Sequence, residues 1–115
     1  MVPTKSPDLK GQIRQANGTS SGTEMHLFRL YLADQTINSI RAKTNLKFIC
    51  QEYLQGHYQI EEVDILQEPL RCLSDGVLMT PMLIRLSPLP VLTILGDLSD
   101  TMSILLALGL ESGVK

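Results

Sequence analysis

Cys50, Cys72, His26 and His57 are the residues of this 115-residue chain with thiolate or imidazole chemistry to offer. Neither cysteine has a second sulfur at the two-residue spacing of a redox pair, and the histidines do not complete a four-ligand zinc set. Both thiols are therefore expected to be reduced and structural, buried as free cysteines usually are. His26 heads an apolar run and His57 follows Gly56. With no acidic or sulfur partner placed by spacing, both are expected to face solvent. Asp64 lies between Val63 and Ile65, so it either points to the open face of a strand or serves a partner. No catalytic residue, metal ligand set or cofactor is expected.

Composition narrows the partner. The chain is 43% apolar and 4% aromatic, with ten basic and twelve acidic residues and a net charge of −2. That describes one small domain with an aliphatic core, and it lacks the basic footprint that nucleic acid or an anionic membrane would select. No apolar run approaches the ~20 residues of a membrane span and no signal sequence is visible, so a cytoplasmic location is expected. Residues 1–24 are rich in Gly, Ser, Thr, Gln and Lys with few large aliphatics. They read as a disordered tail ahead of a domain over 25–115.

The elements that must position any site follow from periodicity. Phe28, Leu30 and Leu32 alternate with the mixed set Leu27, Arg29, Tyr31 and Ala33, which predicts a strand. A helix capped by Thr36 or Asn38 carries Ile40, Leu46, Ile49, Cys50, Tyr53 and Leu54 and closes at Gly56. A second strand runs from Tyr58 to Leu66, stopped by Gln67-Glu68-Pro69, and the helix between them is long enough for a parallel crossover. Leu70–Leu78 reads as a short helix weakened by Gly76. Met82–Leu86 and Val91–Leu95 form a hairpin around Ser87-Pro88-Leu89-Pro90, with Thr80-Pro81 at its entry as a candidate cis bond. Gly96 ends the hairpin, Asp97 or Ser99 caps a last helix from about Asp100 to Leu110, and Met79, Met82 and Met102 fill the core. The order βαβαββα in one α/β domain, with a proline after Thr at the third strand, is the thioredoxin-like arrangement. Where that fold keeps its CxxC, this chain has Gln35-Thr36-Ile37-Asn38-Ser39. A thiol redox protein would lack its reagent.

RLYLADQTINSIRA, VDILQEP, LMTP, the Pro-Leu-Pro-Val turn and ILGDLS together resemble the KaiB family of circadian clock proteins, from about Arg29 to Leu110. Members show a KLYVAGNTPNSVRA-like start, a VIDVL-NP centre, LATPTL, a Pro-Pro-Pro-Val turn and IIGDLS. The resemblance implies a non-enzymatic regulator that binds a KaiC-type ATPase ring, with KaiA-like or histidine-kinase clock factors as further partners and self-association as homotetramer or dimer. It also implies a metamorphic protein, with a βαββααβ tetramer fold as the alternative to the thioredoxin-like state. Arg29, Tyr31, Arg41 and Asp64 are the partner-binding positions it suggests. Thr80, Pro81, Pro88, Pro90, Gly96, Asp97, Ala107 and Gly109 are the positions it ties to fold switching or structure. Ala107 stands where the family has glycine and Gly109 where it has aspartate, a balance that favours helix.

The departures concern charge. Leu92 and Thr93 replace two arginines, Cys72-Leu73-Ser74-Asp75 replaces an acidic run, and Glu61 stands where lysine is common. Charge patterns set partner choice more than affinity. A divergent paralogue is therefore expected, and a stress-response interaction module that no longer binds a KaiC-type ring is the alternative.

Overall fold

A computed structural model describes residues 24–110. The tail assigned to residues 1–24 thus lies outside the described residues apart from Glu24. The chain runs β1 (His26–Leu32), α1 (Ile37–Tyr53), β2 (Tyr58–Asp64), α2 (Pro69–Ser74), β3 (Met82–Ser87), β4 (Leu92–Leu95) and α3 (Thr101–Leu108). This is the order expected from periodicity. One four-stranded sheet has the order β2-β1-β3-β4, with β1 parallel to β2 and antiparallel to β3, and β3 antiparallel to β4.

The alternation in β1 sets the two layers. Phe28, Leu30 and Leu32 face α1 and α3 and pack with Ala42, Leu46, Ile49, Cys50, Leu83, Ile104, Leu105 and Leu108 in the main core. The other face is also covered. Tyr31 is fully buried there with Val63 and Met82, beneath the short helix α2, whose Cys72 packs against them. Sequence alternation marks Tyr31 as non-core because a period of two reports one buried face and cannot reveal a helix over the second.

Several local expectations are corrected. His26 is buried, its ring stacked on Phe28 with centroids 5.9 Å apart, and its backbone N–H donates to the His57 carbonyl at 2.9 Å. β2 ends at Asp64: the Ile65 N–H makes a last bond to the Leu32 carbonyl at 2.9 Å, and the Asp64 carboxylate accepts the Leu66 N–H at 2.8 Å and turns the chain away. α2 stops at Ser74 and Gly76 takes φ 81°. α1 starts after Thr36, whose side chain makes no cap bond. The Ser39 hydroxyl instead accepts the Ala33 N–H at 2.8 Å. The cap of α3 is Asp100, not Asp97 or Ser99: Asp100 accepts the Ser103 N–H at 3.2 Å. Leu98, at φ 64°, buries its side chain and inserts a turn before the helix can begin. Met82 is core, whereas Met79 and Met102 are exposed, as are Ile40 and Tyr53 on α1.

The Thr80-Pro81, Ser87-Pro88 and Leu89-Pro90 bonds are all cis. Gly96 sits at φ 106°, and α3 ends on Gly109 at φ 75°, the left-handed conformation in which a residue without Cβ is unstrained. Ala107 lies on the exposed side of the last turn of α3.

Candidate functional site

On the α2 side of the sheet the parity of β1 and β2 brings charges together. Parallel pairing places Arg29 beside Glu61 and Tyr31 beside Val63. Arg29 Nε donates to Glu61 Oε1 at 2.8 Å, and Arg71 Nη2, from α2, donates to Glu61 Oε2 at 2.8 Å. Arg71 Nη1 also donates to Glu68 Oε1 at 3.2 Å. Asp75, just past α2, lies 3.9 Å from Arg29 and 3.8 Å from Arg71, and its Oδ2 accepts the Tyr31 hydroxyl at 2.6 Å. The hydrogen bond from Arg29, joined by that from Arg71, holds the Glu61 carboxyl below its ordinary value. The Tyr31 hydroxyl and then Glu61 push the Arg29 guanidinium up, and Glu61 does the same for Arg71. Burial, with the bond to Asp75, pushes the Tyr31 phenol up. The cluster fastens a six-residue helix to two strands.

What α2 presents outward is apolar. Leu70 is 79% exposed, Leu73 74% and Leu78 93%, with Leu66 and Met79 exposed beside them. An open groove of about 280 Å³ is lined by Leu73, Leu78 and Met79 together with Ile65, Cys72 and Val77. Five large apolar side chains grouped in this way mark a surface built to be covered. Cys72 is the buried, inward-facing residue of α2, and burial pushes its thiol up. Cys50 is buried in the main core, its thiol pushed up to about 12 by burial. Neither is a thiolate nucleophile.

Of the positions suggested for partner contact, the structure unites Arg29 and Tyr31 and separates the others. Asp64 serves the turn after β2, accepting N–H groups of Leu66 and Asp34 at 2.8 and 3.3 Å. Arg41 is exposed on α1, against the opposite face of the sheet. It neighbours Asp97, whose carboxyl is held low first by the Ser99 hydroxyl and backbone N–H, with Arg41 adding a smaller pull. The Asp97 carbonyl accepts from Asn45 Nδ2 at 2.9 Å, tying the loop to α1.

Sequence reasoning missed three features. Arg71 gave no signal, because its partner Glu61 lies ten positions away on another element. The outward leucines of α2, Leu70 and Leu73, stand at a spacing of three within the segment read as a short helix, but that spacing does not say which way they face. Arg85 shares the parity of Leu83, which points it into the main core. There Nη1 donates to the Leu108 carbonyl at 3.3 Å and Nη2 to the Pro90 carbonyl at 3.0 Å. It joins the end of α3 to the proline turn.

Among the described residues no group of three or more His, Cys, Asp or Glu side chains could hold a metal ion, and no helix is long and apolar enough to cross a membrane. Exposed apolar side chains on and beside a helix held by paired charges can bind a protein surface. Residues 29–110 match the KaiB domain family model. The circadian clock oscillator protein KaiB of Synechococcus elongatus is 40% identical over 93 residues, covering 81% of this chain and 91% of that protein. The circadian clock protein KaiB3 of Synechocystis is 38% identical over 82 residues, covering 71% of this chain and 80% of that protein. Among solved structures, the N-terminal domain of Synechococcus elongatus SasA superposes with a TM-score of 0.60 at 17% identity, covering 81% of this chain and 90% of that one. Chloroplastic thioredoxin z superposes at 0.64 with 14% identity, covering 77% and 80%. These two likenesses establish the thioredoxin-like fold.

Proposed function

Because the chain belongs to the KaiB family, we propose that it is a non-enzymatic regulator that docks on a KaiC-type ATPase ring through its α2 face. The observation that carries this reading is the set of exposed apolar side chains Leu70 and Leu73 on a helix pinned by ion pairs, with Leu66, Leu78 and Met79 on the segments that flank it, beside a groove. Binding would remove that patch from water, the largest favourable term such an interface has. In this reading Arg29 and Tyr31 hold the face in place, Asp64 shapes its edge, and Arg41 contributes a second contact from α1. KaiA-like or histidine-kinase clock factors are the further partners, and self-association of the chain competes for the same apolar surface. Two buried, free thiols accord with a reducing cytoplasm.

Interferometry of the full chain against an immobilised KaiC-type ring from the same source tests this. Leu73→Asp places a charge in the centre of the patch and is expected to weaken binding more than tenfold, about 1.4 kcal/mol. Arg41→Glu is expected to weaken it by a similar factor if α1 also touches the ring. Unchanged affinity of Leu73→Asp refutes the α2 face as the docking surface. Absence of binding by the unmodified chain refutes the partner.

A further inference from the structure

The following inference rests on the α2 docking reading and concerns which surfaces that face accepts. Five charged side chains cluster where α2 meets β1 and β2: Arg29 and Arg71, with Glu61, Glu68 and Asp75. Glu61 touches both arginines, one carboxylate oxygen to each, at 2.8 Å. Further contacts hold both guanidinium groups: Arg71 Nη1 is bonded to Glu68 and its Nε lies 3.8 Å from Asp75, and Arg29 Nη1 lies 3.5 Å from the Tyr31 hydroxyl and 3.9 Å from Asp75. Each guanidinium thus has at least two of its three nitrogens within 4 Å of an acceptor in the cluster, which carries two positive and three negative charges.

We propose that Glu61 is a specificity-determining residue: by closing on Arg29 and Arg71 it withholds both from a partner, so the α2 face takes an apolar, uncharged protein surface and rejects an acidic one. Pairs this exposed add little to stability. Their effect is on availability. An acidic partner group would have to displace a carboxylate that already bridges both arginines and would meet Glu68 and Asp75 as like charges, which is costly at an interface. An apolar partner covers the leucines without leaving either arginine unpaired as water leaves. Lysine at position 61 would reverse this arrangement, giving three cations and a rim open to acids.

Poly-glutamate serves as the acidic probe, followed through the Nε–H signals of Arg29 and Arg71 by NMR on the full chain and on Glu61→Gln, which keeps the size and removes the charge. The unmodified chain is expected to show no saturable shift at about 50 mM salt. The variant is expected to bind at least tenfold more tightly and to release the probe at about 500 mM, where screening is strong. Glu61→Asp, which restores the carboxylate, is expected to behave as the unmodified chain does. Equal binding of the probe by the unmodified chain and Glu61→Gln overturns the assignment. So does binding by neither form, because Glu61 would then not be what withholds the arginines. On the KaiC-type ring, the unmodified chain is expected to change affinity less than threefold between the two salt concentrations, and a tenfold loss overturns the proposal. If no form binds the ring while the poly-glutamate contrast holds, the ring-docking reading fails and the role of Glu61 stands.

Discussion

Replacing Arg85 by methionine is expected to destabilise the domain by about 2 kcal/mol. Arg85 is 6% exposed, and burial lowers its pKa from the ordinary guanidinium value. Its two bonds run to carbonyls, Leu108 at 3.3 Å and Pro90 at 3.0 Å, and its Nε is buried without a partner. Bonds from a charged donor contribute about 1.5–3 kcal/mol each, so their loss alone would cost roughly 3–6. Methionine returns part of this: its chain fills most of the volume of the arginine stem, and a buried cation with an unmet N–H carries a desolvation penalty of a few kcal/mol. The remainder is set by the two carbonyls left behind at the end of α3 and in the proline turn, about 1 kcal/mol each. With a urea slope of about 1–2 kcal/mol per molar, the midpoint followed by circular dichroism should fall by 1 M or more. Arg85→Lys keeps a cation but loses the planar fork that reaches two acceptors, so it is expected to fall between the two. A midpoint for Arg85→Met at or above that of the unmodified chain would show that the desolvation penalty outweighs both bonds and that Arg85 does not fasten α3 to the turn.

Two further outcomes follow from single residues. Burial of His26, with Arg85 adding to it, lowers its pKa from 6.5, while its contact with the Glu24 carbonyl and the Glu24 charge pull the other way. The unfolded chain then takes up a proton near pH 6.5 before the folded chain does, so stability is complete above that pH and declines as pH falls toward the lowered folded value. Urea midpoints at pH 7.5 and 5.5 should show this decline for the unmodified chain and a smaller one for His26→Leu; equal declines refute it. Ala107→Gly on the exposed side of α3 should cost about 0.8–1.0 kcal/mol through helix propensity alone, and a midpoint that does not move would mean that the last turn of α3 is not helical in solution.

What could be read from the chain is whatever repeats along it. Phe28, Leu30 and Leu32 at a period of two, the helical spacing of Leu46, Ile49 and Cys50, and the proline-flanked hairpin are local patterns, and the element order came from them alone. The site is legible only in part because its parts are joined by register. Arg29 meets Glu61 because β1 and β2 pair in parallel with Phe28 beside Ile60, and the length of α1 predicts the parallel sense without specifying that alignment. A slip of one residue would send Glu61 to the α1 face and bring Glu62, which now pairs with Lys43 at 3.5 Å, to α2. The alignment is held by residues whose partners are remote: Tyr58 and Ile60 against the main core, and Val63 against Tyr31 beneath α2. Each of those positions is ordinary when read singly. The charge at Glu61 looks like a solvated surface residue in sequence for the same reason, and it becomes the centre of the cluster only when register and the seating of α2 are both known.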